Sequence, residues 1–332
     1  MSGGRGPSAQ LAVLAELLVA GCPGRVSRDL PLAPLTTFRL GGPADVFLRA
    51  ESVADLAACA AALAEAGAPG EVPVLVVGRG SNMLVGDGGW PGLVIHLGQG
   101  LRGITRHGDQ LEAGGATPMP GLASRSAAEC LGGLSFAVAI PGTVGGGVRM
   151  NAGAHGTEVA DRLVWAEVVA LAPADLPGLQ EPGRPARLDA DQLGLGYRRS
   201  ALPRLAVVSA ARFALTPAPE ADVRREIDEA RRWRRDHQPV NQPNCGSVFA
   251  NPPEMAAGLA VQRLGLKGQR AGGARFSDVH ANFIVAEPGA SSADVLGLIR
   301  LAQRRAADEL GIELRTEVQI VGTFDEQAEV AR

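Results

Sequence analysis

Six of the residues between Gly142 and Gly156 are glycine, and apart from Arg149 this stretch is almost uncharged. Its backbone can lie close against a flat neighbour, because glycine lacks a Cβ and reaches positive φ. A second glycine passage, Gly78-Arg79-Gly80-Ser81-Asn82, follows the apolar run Val72 to Val77. Backbone N–H groups in turns of this kind cradle phosphate, and Arg79, Ser81 and Asn82 add side-chain donors. The turn does not match Gly-x-Gly-x-x-Gly, since Met83 stands in the last position and the chain resumes as apolar Met83-Leu84-Val85 rather than as a long helix. A Rossmann dinucleotide fold is therefore disfavoured, while two such passages in one chain point to a bound dinucleotide.

Composition narrows the field further. The chain has 332 residues, enough for two or three domains, and 46% apolar residues, enough to bury a core. A net charge of −3 and 4% aromatics provide neither the basic footprint nor the stacking platforms of a nucleic-acid binder. Lys267 is the only lysine and is followed by Gly268, which excludes a Walker A loop and leaves one candidate for Schiff-base chemistry. Cys22, Cys59, Cys130 and Cys245 lie far apart and the five histidines show no ligand spacing, so neither zinc nor a disulfide framework is expected. Val19-Ala20-Gly21-Cys22 has the look of a lipoprotein cleavage box. However, Glu16 interrupts the short apolar run, and Leu11, Leu14, Leu17 and Leu18 fit one face of an amphipathic helix. No stretch reaches the ~18 apolar residues of a membrane span, and a cytoplasmic, monomeric protein is expected.

Periodicity predicts a strand at 45–50, a helix from Val53 to Ala66, a strand from Val72 to Val77, strands near 103–114 and a helix near 119–130. Further strands are expected near 163–171 and 205–215, with a loop at 173–188. From Glu220 to Asp236 an Arg/Glu-rich helix reads as a solvated connector. A separate α+β unit then follows: an irregular segment at 239–253, a helix near 255–264, a strand from Ala281 to Val285, a helix near 291–310 and a strand from Glu313 to Val321.

Six motifs in order carry a resemblance over most of the chain. They are Thr36-Thr37-Phe38-Arg39-Leu40-Gly41-Gly42-Pro43-Ala44, Gly78 to Leu84, Ile140 to Gly156, Tyr197-Arg198-Arg199-Ser200, Asn244 to Pro252, and His280-Ala281-Asn282-Phe283 with Glu317-Val318 and Gly322. Together they resemble the UDP-N-acetylenolpyruvoylglucosamine reductase family. The resemblance implies an α+β fold in which a two-part FAD-binding region of the vanillyl-alcohol oxidase type (1–72 and 73–217) precedes a substrate domain (218–325). It also implies non-covalent FAD, NADPH as co-substrate, and reduction of an enolpyruvyl ether of UDP-N-acetylglucosamine to UDP-N-acetylmuramate for peptidoglycan synthesis. Tyr197 is the only tyrosine, so the chain resembles the shorter class lacking a tyrosine-bearing substrate loop.

The residues carried over are specific. Arg198 resembles the cation that stabilises developing negative charge, Ser247 the proton donor, and Glu317, placed on the last strand, the carboxylic acid that polarises the substrate carboxylate. Gly78, Arg79, Gly80, Ser81, Asn82 and Met83, with Ile140, Pro141, Gly142, Thr143, Gly145, Gly146, Asn151 and Gly153, resemble the flavin-binding residues. Tyr197, Asn251 and His280 resemble residues at the sugar-nucleotide end, and His280 fits a structural histidine equally well. Ala250 and Val279 stand where the family often has lysine. Cys245 reads as a packed thiol. Two alternatives stay open: an oxidase of the same fold, disfavoured because no His or Cys lies within 78–82 for covalent flavin, and a silent flavin-binding module, disfavoured by Arg198, Ser247 and Glu317 occurring together.

Overall fold

The computed structural model describes residues 9–324 except 69 and 177. The chain folds as two compact units, one made of residues up to Asp29, Asp45–Gly78 and Gly92–Arg232, the other of Leu30–Ala44, Arg79–Pro91 and Trp233 onward. These units are interleaved in sequence, which differs from the linear division into 1–72, 73–217 and 218–325.

In the first unit, a four-stranded sheet runs in the order Val26–Pro31, Pro43–Ala50, Trp90–Leu97, Val74–Val77. Two helices pack with it, α1 (Ala9–Gly21) and α2 (Val53–Glu65). Leu11, Leu14 and Leu18 are buried, as expected, Ala15 joins them while Leu17 is only partly buried, and Cys22 lies in the same core. Ser52 opens α2 by accepting from Asp55 N–H at 3.2 Å, and Asp55 returns the bond by accepting from Ser52 N–H at 2.9 Å. The same buried carboxylate also accepts from Glu51 N–H at 2.7 Å and pairs with Arg25. It thus ties the helix start to the residue just before the edge strand.

A five-stranded antiparallel sheet of the same unit has the order Pro185–Asp189, Leu163–Ala170, Ala206–Ala214, Gln110–Gly114, Ile104–His107. Its core is formed with α3 (Met119–Ala128) and α4 (Val144–Arg149). Most of 173–188 is irregular, as expected, but its end enters the strand Pro185–Asp189. The second glycine passage contains a helix that its propensity would not support. Thr143 caps α4 by accepting from Gly146 N–H at 3.4 Å, and Val144, Gly147 and Val148 are buried, so packing stabilises what glycine disfavours. The Arg/Glu-rich helix is α5 (Glu220–His237), with exposed Arg–Glu and Arg–Asp pairs one turn apart and only Val223 and Ile227 buried.

In the second unit, α6 (Ala257–Arg263) and α7 (Ser292–Arg305) pack on the strands Ala274–Phe276 and Ile284–Ala286, with Phe38, Leu84, Phe249 and Phe276 in the core. Met83–Val85 pairs in parallel with Gln319–Val321, which is why a segment from the first hundred residues belongs here. Asp87 strengthens this link by accepting from Ser292 and Ala293 N–H at 2.8 and 3.0 Å at the start of α7. Two expectations are corrected. The last strand is only Gln319–Val321, so Glu317 lies in a bend before it. Residues 281–283 belong to a turn and the strand starts at Ile284. The helix expected near 291–310 is present, as α-helix to Arg305 and a π turn over Ala306–Leu310. The edge strand Val26–Pro31 has no counterpart among the expected elements. Its sequence Val-Ser-Arg-Asp-Leu-Pro lacks alternating apolar residues, and none of its side chains is fully buried, so no period marks it.

Asp55→Ala leaves two amides and Arg25 without their acceptor. We expect a loss of about 2–4 kcal/mol in urea unfolding at pH 7, read from the midpoint at unchanged slope.

Candidate active site

Two of the three catalytic candidates lie along one backbone seam. Ser247 precedes Val248, whose carbonyl accepts from Glu317 N–H at 2.8 Å and from Val318 N–H at 3.3 Å. Ala250 N–H donates to Arg315 O at 3.0 Å, and Phe249 bridges Thr316, so the Gly-Ser-x-Phe segment and the Glu317 bend form a short antiparallel seam. Glu317 O also accepts from Asn82 Nδ2 at 3.1 Å, which joins the first glycine turn to the same seam.

The Ser247 turn is braced by two asparagine side chains. Gly246 has φ +81°, a conformation that an L side chain resists, and Asn244 Oδ1 accepts its N–H at 2.9 Å. Asn244 Nδ2 donates to Pro239 O and Gln242 O. On the far side, buried Asn282 donates from Nδ2 to Phe249 O at 2.8 Å and accepts Phe249 N–H on Oδ1 at 2.9 Å, while its own carbonyl accepts from Val248 N–H at 2.9 Å. The Ser247 hydroxyl belongs to a half-buried residue and makes no hydrogen bond among the described residues. Cys245 is a packed thiol, pushed up by burial and so poor as a nucleophile.

Asn282 is visible in sequence only as a member of a motif. Its bracing role depends on 248–249 running beside it. His280 Nδ1 accepts from Asn282 N–H at 3.2 Å, and the ring meets Phe283 edge-on. Burial holds the imidazole below its ordinary value, so the neutral ring carries its proton on Nε2. Asn251 is exposed, and its Oδ1 accepts from Ala257 N–H at 2.9 Å at the start of α6, which leaves its Nδ2 available as a donor.

Arg198 sits at the second corner of a two-residue turn. Gly196 and Arg199 exchange both backbone bonds at 3.0 Å, and Arg198 has φ +56°. Its guanidinium stacks on Tyr197, 5.1 Å from the ring centroid, and donates to Gly153 O at 3.3 Å. Tyr197 itself is exposed. The second glycine passage grips this segment at further points. Ser200 Oγ donates to Arg149 O at 2.8 Å, Asn151 Nδ2 donates to Gly196 O at 3.1 Å, and Arg149 donates to Pro203 O at 2.8 Å and to Ala206 O. Burial lowers the Arg149 guanidinium from its usual value. In sequence Arg149 stands out only as the lone charge of its passage.

Each glycine passage offers backbone donors that suit phosphate. Among the described residues, the amides of Arg79, Gly80, Ser81 and Asn82 have no protein acceptor, and in the second passage neither do those of Gly142 and Thr143. The Thr37 hydroxyl, beside the first turn through its N–H to Gly80 O at 3.4 Å, is buried without a partner. Gly80 has φ +54° and a Cβ there would come within 2.5 Å of Leu35 O, so the turn admits no side chain. Gly78 packs against Thr143, whose Oγ1 would lie 2.7 Å from an added Cβ. Ile140, Pro141, Gly145 and Gly146 complete the second passage, and Met83 is the buried first residue of the strand after the first. Four consecutive N–H donors in one small-residue turn, with a buried hydroxyl beside them, match the oxygens of a phosphate group such as FAD carries.

Comparisons with known proteins agree with this chemistry. Residues 44–172 match the FAD binding domain family, and residues 238–321 match the C-terminal domain of UDP-N-acetylenolpyruvoylglucosamine reductase. UDP-N-acetylenolpyruvoylglucosamine reductase of Anaeromyxobacter sp. is 42% identical over 301 residues, covering 91% of this chain and 90% of the relative. The enzyme of the same description from Synechococcus sp. is 42% identical over 311 residues, covering 93% and 95%. The crystal structure of UDP-N-acetylenolpyruvylglucosamine reductase from Thermus caldophilus superposes with a TM-score of 0.75 at 35% identity, covering 89% of this chain and 98% of that one. The expected combination of an FAD-binding domain with this C-terminal domain is thereby met.

Two outcomes follow from the bracing. Asn282→Ala strands the buried N–H and C=O of Phe249, and thermal and urea unfolding are expected to show a loss of about 2–4 kcal/mol. For His280 the folded state disfavours the proton, so below about pH 6.5 the unfolded chain binds more protons and stability falls as pH falls. His280→Gln removes this contribution, and its unfolding midpoint is expected to drop less than that of the parent between pH 7 and about pH 5.5.

Proposed function

Because the chain belongs to the UDP-N-acetylenolpyruvoylglucosamine reductase family and is an FAD-dependent oxidoreductase, we propose that it uses NADPH to reduce UDP-N-acetylglucosamine enolpyruvate to UDP-N-acetylmuramate. The observation that carries this reading is the seam in which Glu317 N–H donates to the carbonyl of Val248, the residue that follows Ser247. FAD, when bound by the donors of the glycine turns, supplies the hydride that the enolpyruvyl β-carbon receives.

The protein groups handle the charge and the proton that hydride addition requires. As the β-carbon becomes a methyl group, negative charge develops on the α-carbon and its carboxylate. Arg198 meets that charge with a planar cation whose two donors match a carboxylate, and its strained turn holds it in place beforehand. Ser247 Oγ gives its proton to the α-carbon, forming the C–H bond, and is reprotonated from solvent. Serine is a weak acid, so the step depends on the strong basicity of the carbanion and on a hydroxyl held close by the Gly246 turn. Glu317, fixed at its backbone to Val248 and Asn82, polarises the substrate carboxylate. Asn251 Nδ2, His280 Nε2 and the Tyr197 ring serve the sugar-nucleotide end. The neutral imidazole donates there without adding charge. The same reading makes the cytoplasm, where both nucleotide substrates reside, the working compartment, and a monomer the working form.

The test is to purify the protein, record its flavin spectrum, and follow NADPH oxidation with and without the enolpyruvyl sugar nucleotide. Turnover that does not depend on that substrate overturns the proposal. Ser247→Ala is expected to leave flavin reduction by NADPH intact and to slow oxidation of the reduced flavin by substrate by about 10²–10⁴-fold in stopped flow. Equal slowing of both halves would remove Ser247 from the role of proton donor.

A further inference from the structure

Asn151 resembles a flavin ligand in sequence, yet its side chain faces a different task. The residue is fully buried and has φ +41°. Both ends of its carboxamide are engaged with protein: Oδ1 accepts from Ala160 N–H at 2.9 Å, and Nδ2 donates to Gly196 O at 3.1 Å. Gly196 is the residue that closes the turn bearing Arg198, through its paired bonds with Arg199. A bulky residue such as arginine adopts φ +56° only where the surroundings over-determine it.

Three of the contacts that hold it come from one short segment. Asn151 holds the residue before the turn, Gly153 O receives the guanidinium itself, and Arg149 O receives the hydroxyl of Ser200 after the turn. Of these three contacts, only that of Asn151 draws on a side chain of the segment, so it alone can be removed there without rebuilding backbone. Its opposite end is tied to Ala160 and cannot follow if the turn relaxes. We propose that Asn151 is the positioning residue for Arg198: its buried carboxamide fixes the turn, and through the turn the guanidinium, in the geometry that meets the developing charge.

The proposal rests on the role assigned to Arg198 above, and the experiment separates the two. Asn151→Gly keeps a residue at ease with positive φ and deletes both side-chain bonds. Asn151→Asp keeps the acceptor for Ala160 N–H and loses the donor to Gly196, and it carries the same test if the glycine variant fails to fold. Both are expected to retain the parent's flavin content and its rate of flavin reduction by NADPH. Oxidation of the reduced flavin at saturating enolpyruvyl substrate is expected to slow by about 10–100-fold, with kcat falling more than KM changes, as befits a displaced group rather than a lost binding contact. Loss of flavin, equal slowing of both half-reactions, or an unaltered second half would each overturn the inference. Arg198→Ala is measured in parallel. If it leaves the second half-reaction unchanged, the assignment of Arg198 itself fails. If it slows that step while the Asn151 variants do not, only the positioning role fails.

Discussion

Three buried or half-buried asparagines hold the turns that carry the candidate site residues. Asn151 ties the Arg198 turn, Asn244 closes on Gly246 N–H, and Asn282 brackets Phe249 two residues beyond Ser247. Each turn contains a residue at positive φ or runs where regular strand pairing stops. A carboxamide suits such places because it donates and accepts at once, replacing the ladder bonds that an irregular backbone gives up. Remove one, and a buried peptide loses its partner in surroundings where water cannot take over. Local geometry at the candidate side chains is therefore set by neighbouring carboxamides.

Charge is handled in the same directed way. Arg198, Arg149 and Arg25 act through bonds to carbonyls, a ring or a carboxylate, which a single ammonium could not reproduce. In a chain with one lysine, nearly every cation is a guanidinium group, and its planar donors here serve the structure of the turns. The exposed pairs along α5 contribute little beyond solvation, so the charge-rich helix is the least informative charged segment despite its density.

Much of the fold is legible in sequence because amphipathic spacing is a local property. The Leu11, Leu14 and Leu18 face, the helix Val53–Glu65 and the strands around 163–170 and 206–214 follow from residues a few positions apart. The strand Val26–Pro31 lacks such a pattern, and α4 contradicts its own propensity, because packing outweighs glycine's backbone entropy there. Glu317 falls outside the strand that its β-rich neighbourhood suggests. The bend exists because Val248 O captures two successive amides, Glu317 and Val318, a contact that no local window contains.

For the two glycine passages, the sequence alone determined that they would offer turns of small residues with donors to spare. The family motifs around Arg198, Ser247 and Glu317 were likewise written in linear order. Only tertiary structure decided that Gly78 would pack on Thr143, that Met83–Val85 would pair with Gln319–Val321, and that Asn151 would reach Gly196 rather than remain one more ligand-like residue of its loop. The physical reason is that a side chain's partner depends on which backbone group lies within about 3 Å of it, and for these residues that group lies tens to hundreds of positions away in sequence.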